Sequence, residues 1–165
     1  MPSIDCSLLV CFTARTQYSH SIHSPNLKII EMEEKILKTL EYQITIPSAH
    51  AFLVRFLKAG HADKKIVQLS CYIMDGTLQS YSLLHYLPSQ LAAAAVFISR
   101  RTVGRNGWSP TLLNYSDYCE EEIMPVARAI LQAKQSADIE LRAVNKKYAS
   151  TRYGAVSSIP TPIDF

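Results

Sequence analysis

Leu83-Leu84-His85-Tyr86-Leu87-Pro88-Ser89-Gln90-Leu91-Ala92-Ala93-Ala94-Ala95-Val96-Phe97-Ile98-Ser99-Arg100-Arg101 is the stretch whose reading decides the fold. Proline holds φ near the helical value and has no N–H, so Pro88 suits a first helical turn, where that N–H would have no intrahelical partner. Alanine, repeated from Ala92 to Ala95, favours helix more strongly than any other residue type. From Leu91 to Ile98 the segment is apolar on every face, which marks a helix surrounded by other helices rather than one lying on a surface. Alanine also lets neighbouring backbones approach to roughly 8 Å. The reading is a central helix with partners on all sides. It is not a membrane span, because its apolar run of about 8 residues falls short of the roughly 20 a bilayer needs and ends in Arg100 and Arg101.

A chain of 165 residues is one domain or a little more, long enough to bury a core without metal or disulfide. Its four cysteines, Cys6, Cys11, Cys71 and Cys119, form no C-x-x-C pair, which fits a reduced intracellular protein. The net charge of +3 is too small to argue for nucleic acid by itself, but the charge is unevenly placed. No acidic residue occurs from Gly76 to Ser116 or from Leu141 to Ile163. Glycine is scarce and strict period-2 alternation is missing, so the composition points to an all-α domain.

Residues 1–27 read as a poorly ordered or unrelated tail: Ser7 to Phe12 is apolar but lacks the preceding basic residues of a signal peptide, and Ser24-Pro25 punctuates the end. Ile29, Met32, Ile36, Leu37 and Leu40 then follow helical spacing, with Glu31 set four residues before Lys35 and Glu34 four before Lys38 on the wet side. Pro47 ends the next extended segment, and Ser48 is placed to cap a helix whose buried stripe is Phe52, Leu53, Phe56 and Leu57. Gly60 closes it and Asp63 caps another, with the apolar set Ile66, Val67, Ser70, Cys71, Ile73, Met74, Thr77 and Leu78. Gly76 is a soft spot there, costing roughly 1 kcal/mol against alanine if mid-helix. Beyond the central helix, Gly104-Arg105-Asn106-Gly107 is a break and Ser109 to Tyr115 a turn or two of helix. Ser116 or Asp117 starts a last long helix carrying Ile123, Val126, Ala127, Ile130 and Leu131, in which Pro125 must kink the helix or delay its start. A short basic helix, Leu141 to Tyr148, and an irregular tail complete five or six helices.

Several of these segments together resemble a known family. Met32-Glu33-Glu34-Lys35-Ile36-Leu37, Ile46-Pro47-Ser48-Ala49-His50-Ala51-Phe52-Leu53-Val54-Arg55-Phe56-Leu57-Lys58, Tyr81 to Ala95, Trp108-Ser109-Pro110 and Val144-Asn145-Lys146-Lys147-Tyr148-Ala149-Ser150 are similar, in order, to the carboxy-terminal half of A/B-type (mitotic) cyclins. The resemblance implies an all-α, five-helix cyclin-box fold around the alanine-rich helix, with an N-terminal helix and a short C-terminal helix. It makes residues 28–42 the remnant of the last helix of a first cyclin box, 47–137 the second box, and 138–165 a basic helix and tail. It implies no enzyme and no cofactor, but a regulatory module of cell division, nuclear and cytoplasmic, whose relatives bind and activate a cyclin-dependent protein kinase. The kinase-gripping motifs of the first box are not found, so the chain reads as a truncated relative that does not activate alone. Lys28, Ile29 and Glu31 are the nearest kinase-facing candidates. The apolar face such a truncation leaves would favour self-association. Asp75 and Gly76 depart from the family, which usually has a glutamate and a larger apolar residue there.

Other constellations read as structural. Cys71 or Cys119 with His61 or His85 would make a nucleophile pair only if a motif joined them, and none does. His20 and His23 lack further metal ligands, and Glu120, Glu121 and Glu122 suit the positive end of a helix dipole better than acid/base catalysis. Arg100, Arg101 and Arg105 beside Trp108, with Arg142, Lys146, Lys147 and Arg152, could present a basic surface to phosphate, which keeps open the alternative of a cyclin-fold nucleic-acid or transcription-factor binding module. Ser24-Pro25, Ser109-Pro110 and Thr161-Pro162 have the minimal form of proline-directed phosphorylation sites, with Ser109 also suited to a helix cap.

Overall fold

Pro47 is where the chain changes neighbours: in the computed structural model, contacts divide the molecule into a unit up to Ile46 and a larger one from Pro47 onward. The structure describes residues 25–105, 107–136 and 143–160. Expectations for residues 1–24, Asn106, Arg142 and Thr161-Pro162, including His20 and His23, lie outside these. Among the described residues every regular element is helical.

In the first unit, α1 runs Pro25–Thr39, four residues earlier than the apolar spacing from Ile29 suggests, because a proline at the first helical position starts a helix where it would break a running one. Lys38 pairs with Glu34 one turn back. The helix ends as Glu41 and Tyr42 take left-handed φ of 50° and 59°.

The second unit holds α2 (Ala49–Ala59), α3 (Lys64–Thr77), α4 (Pro88–Thr102), α5 (Pro110–Ser116), α6 (Glu120–Gln135) and α7 (Ala143–Ala149), followed by two 3₁₀ turns, Thr151–Tyr153 and Val156–Ser158. α4 is the alanine helix, and all nine residues from Ala92 to Arg100 are buried. Pro88 opens it, and Gln90 Oε1 accepts the N–H of Leu87 at 3.0 Å in place of a hydroxyl cap. α2, α3 and α6 pack most extensively around it, while α5 packs chiefly on α2 and adds Leu112 to the same core. Ser70, fully buried on α3, has a hydroxyl with no partner among the described residues, so the position uses its small size.

Three local expectations need correction. Ser48 sits at the cap of α2 but its side chain makes no capping hydrogen bond, while Asp63 Oδ1 does accept from Ile66 N–H at 3.0 Å. Gly60 closes α2 as expected, at φ −82°, with His61 beyond it left-handed at φ 45°. Leu78 is 81% exposed just past the end of α3, whereas Val67 packs half-buried against the core and Leu69 and Tyr72 are buried beside it. α6 begins at Glu120 because Ser116 closes α5 and Asp117 turns left-handed at φ 59°. The delay leaves Pro125 inside the helix, where the Glu121 carbonyl goes without its usual N–H.

The C-terminal segment is better organised than an irregular tail. α7 and the turn at Val156–Ser158 pack on α3, and Tyr148 and Val156 are buried with the core. No helix among the described residues is long and apolar enough to cross a membrane.

Candidate functional site

α1 carries the expected kinase-facing residues. Lys28 and Glu31 are three apart, hence on one helical face, with Ile29 about 100° around from Lys28. All three are exposed, Ile29 to 58%.

Packing engages the arginines after α4 on which the expected basic surface rests. Arg100 is buried, and its guanidinium donates to the carbonyls of Gly107 at 3.0 Å and Gly60 at 3.1 Å, tying the end of α4 to the loop after α2. Arg101 pairs with Glu120 at 2.8 Å and lies over the Phe97 ring, and Arg105 pairs with Asp63 at 3.5 Å. Trp108 donates its indole N–H to the Tyr118 carbonyl at 2.8 Å and stands edge-on to Phe97. Sequence spacing grouped these cations correctly but could not show that each had a partner. Lys146 is exposed on α7, Lys147 is held by Asp75, and Arg152 lies over Tyr153.

Cysteine chemistry is equally unpromising for nucleophilic catalysis. Burial, then the Asp75 charge, pushes the half-buried Cys71 thiol up, away from the thiolate form a nucleophile needs. His85 stacks on Tyr86, and the His61 carbonyl accepts from Arg105. At the start of α6, Cys119 N–H donates to Glu122 Oε2 at 2.9 Å, and hydrogen bonds there hold Glu121 and Glu122 below the usual carboxylate range. These glutamates serve the helix start. Ser109 Oγ accepts from Leu112 N–H at 3.3 Å, so it is the cap of α5. No group of three or more potential metal ligands occurs among the described residues.

Sequence reasoning missed one polar cluster, which fastens α7 to α3. Asp75 Oδ2 accepts from Lys147 Nζ at 2.7 Å and from the Tyr148 hydroxyl at 3.0 Å. One turn earlier the Tyr72 hydroxyl donates to Asn145 Oδ1 at 2.6 Å. The rings of Tyr72, Tyr148 and Tyr153 follow one another at 5.5 and 5.1 Å between centroids, and Lys134 lies 4.8 Å over Tyr72. Burial, then the hydrogen bond to Asp75, pushes the Tyr148 hydroxyl up to about 12. The signal available in the sequence was Asp75 itself, an acid near the end of an otherwise apolar helix.

A helix buried on all sides, ringed by others and closed by a C-terminal helix, is the geometry against which comparison with known proteins becomes informative. Residues 47–162 match the family described as Cyclin, C-terminal domain. The chain belongs to the cyclin family. Among curated relatives it is 38% identical over 134 residues to the G2/mitotic-specific cyclin-B of Hydra viridissima, covering 81% of this chain and 34% of that protein. It is 41% identical over 130 residues to the G2/mitotic-specific cyclin-B of Patella vulgata, covering 78% and 32%. It is 31% identical over 159 residues to Cyclin-B2-2 of Oryza sativa subsp. indica, covering 95% and 36%. The chain thus spans about a third of the length of these relatives. The cyclin-box expectation for the alanine helix holds, and the relatives are of the B type.

Proposed function

We propose that the chain is a regulatory module for a cyclin-dependent protein kinase in cell division, acting in the nucleus and cytoplasm by binding rather than by contributing chemistry. The match of residues 47–162 to the cyclin C-terminal domain carries this reading, and the mitotic cyclins among its relatives point to division. Within it, residues 28–42 are the end of a first box, 47–137 the second box and 138–165 its appended helix and tail; the change of contacts after Ile46 supports the first boundary. Lys28, Ile29 and Glu31 face the kinase, their exposure on α1 supporting that role. Apolar side chains exposed between α3 and α4, including Leu78, Tyr81 and Leu87, support self-association at high concentration, which light scattering showing a clean monomer would overturn.

The deciding experiment titrates the purified chain into a mitotic cyclin-dependent kinase by calorimetry. Binding is expected, weakened about tenfold by the double reversal Lys28→Glu with Glu31→Lys and by Ile29→Ala, as for contacts inside an interface. The chain alone is expected not to raise kinase activity, since it carries none of the first-box gripping motifs. Absence of binding, or full binding by both variants, refutes the assignment, and activation by the isolated chain refutes the second expectation.

A further inference from the structure

α2 and α5 border an open groove of about 530 Å³ that no part of the cyclin reading uses. Two helical stripes line it: Ala51, Arg55 and Lys58 from α2, at spacings of four and three, and Thr111 and Tyr115 from α5, four apart. Val54 and His61 also border it. The small Ala51 leaves room between the helices, while Val54 and Tyr115 keep 37% and 49% of their surface exposed.

The groove's charge is one-sided. Among the described residues no acidic one borders it, although Arg55, Lys58 and His61 do. The guanidinium of Arg55 lies over the Tyr115 ring at 5.7 Å, a contact that positions its charge without neutralising it. Four cations elsewhere in the described structure are matched by carboxylates: Lys38 by Glu34, Arg101 by Glu120, Arg105 by Asp63, and Lys147 by Asp75. Arg55 and Lys58 make no such ion pair. Two uncompensated cations beside exposed Val54 and Tyr115 ask for a ligand that is anionic and apolar at once. The cations span only one turn of α2, about 5 Å along its axis, which is short for a nucleic-acid backbone but suits a few peptide side chains.

We propose that this groove docks an acidic peptide segment, whose carboxylates meet Arg55 and Lys58 while an adjacent apolar side chain lies against Val54 and Tyr115. The occupant is a partner segment recognised by its acidity, and the proposal stands independently of kinase binding through α1.

Fluorescence anisotropy with the full chain tests it, using a labelled short peptide rich in glutamate and aspartate with a central leucine. Saturable binding is expected that weakens as salt rises. The double reversal Arg55→Glu with Lys58→Glu should weaken it about tenfold or more, and the milder Arg55→Gln with Lys58→Gln severalfold. Circular dichroism on both confirms that the helices persist. Lys146→Glu, on α7, should change binding less than about twofold, since an exposed charge acts locally in salt. A glutamine/asparagine version of the peptide and a leucine-to-serine version should each bind more weakly. Equal binding of the neutral peptide, indifference to both Arg55/Lys58 variants, complete displacement by inorganic phosphate, or tighter binding of a single-stranded oligonucleotide would overturn the proposal.

Discussion

Removing the Asp75 carboxylate tests whether α7 is a fixed part of the domain. Asp75→Ala takes away the acceptor for two donors of very different standing. Lys147 and Asp75 keep 47% and 33% of their side-chain surface exposed, so their ion pair contributes no more than about 1 kcal/mol. Tyr148 is 3% exposed, and its hydroxyl donates to a charged acceptor. Losing that bond costs about 1.5–3 kcal/mol, because a buried donor is left with reduced access to water. The sum is about 1.5–4 kcal/mol, dominated by tyrosine rather than lysine. For a unit of this size that lowers the melting temperature by about 6–16 °C. Asp75→Asn should cost less, since its amide oxygen can still accept from Tyr148. Urea unfolding followed by circular dichroism, on Asp75→Ala, Tyr148→Phe and the pair, gives the coupling energy directly, expected at about 1–2 kcal/mol. Lys147→Ala should lose under about 1 kcal/mol. A coupling near zero, or a Lys147→Ala loss equal to that of Asp75→Ala, would refute the hydroxyl as the principal contact.

The same tyrosine makes stability sensitive to alkali. A hydroxyl raised from about 10 in the unfolded chain to about 12 in the fold favours the folded state while it is protonated. Its contribution is therefore complete below about pH 10 and is lost as pH rises towards about 12, a fall that pH-resolved urea titrations should find reduced in Tyr148→Phe. Two glycines of similar appearance should respond oppositely to alanine: nothing lies within 4 Å of a Cβ at Gly76, so Gly76→Ala in the last turn of α3 is expected to stabilise, by about 0.5–1 kcal/mol. Gly154→Ala, at φ +68° with its Cβ 2.6 Å from Gln68 Oε1, should destabilise, by about 1–2 kcal/mol; equal shifts for the two would refute the backbone argument. Among the caps, Asp63→Ala should cost about 1 kcal/mol and Ser48→Ala much less, because only Asp63 makes its hydrogen bond.

How far the fold was legible depended on how local its cause was. The burial of α4 could be read directly, since eight successive apolar residues leave a helix no wet face. The stripe of α6 from Ile123 to Leu131 and the caps at Asp63 and Ser109 were legible for the same reason, each being decided within a turn or two. The start of α6 was not, because Ser116 and Asp117 are both good capping residues in sequence, while Ser116 in fact closes α5 and Asp117 turns left-handed before the helix begins at Glu120. Pro25 misled in the opposite sense, read as punctuation where it opens a helix.

Charged residues mark the limit of that legibility most sharply. Arg100, Arg101 and Arg105 stand close together in a stretch without acids, and in sequence that is a basic patch. Their partners come from elsewhere: the Gly60 carbonyl lies 40 residues away, Glu120 is 19 residues from Arg101, and Asp63 belongs to the cap of α3. Arg55 and Lys58 look unremarkable in sequence, as the wet side of an amphipathic helix, yet they border a groove and make no ion pair with a carboxylate among the described residues. Counting charge along the chain therefore ranks the two groups in the wrong order. What matters for recognition is the charge that folding leaves uncompensated, and by that measure the face between α2 and α5, rather than the arginines after the alanine helix, is where an anionic partner would find something to bind.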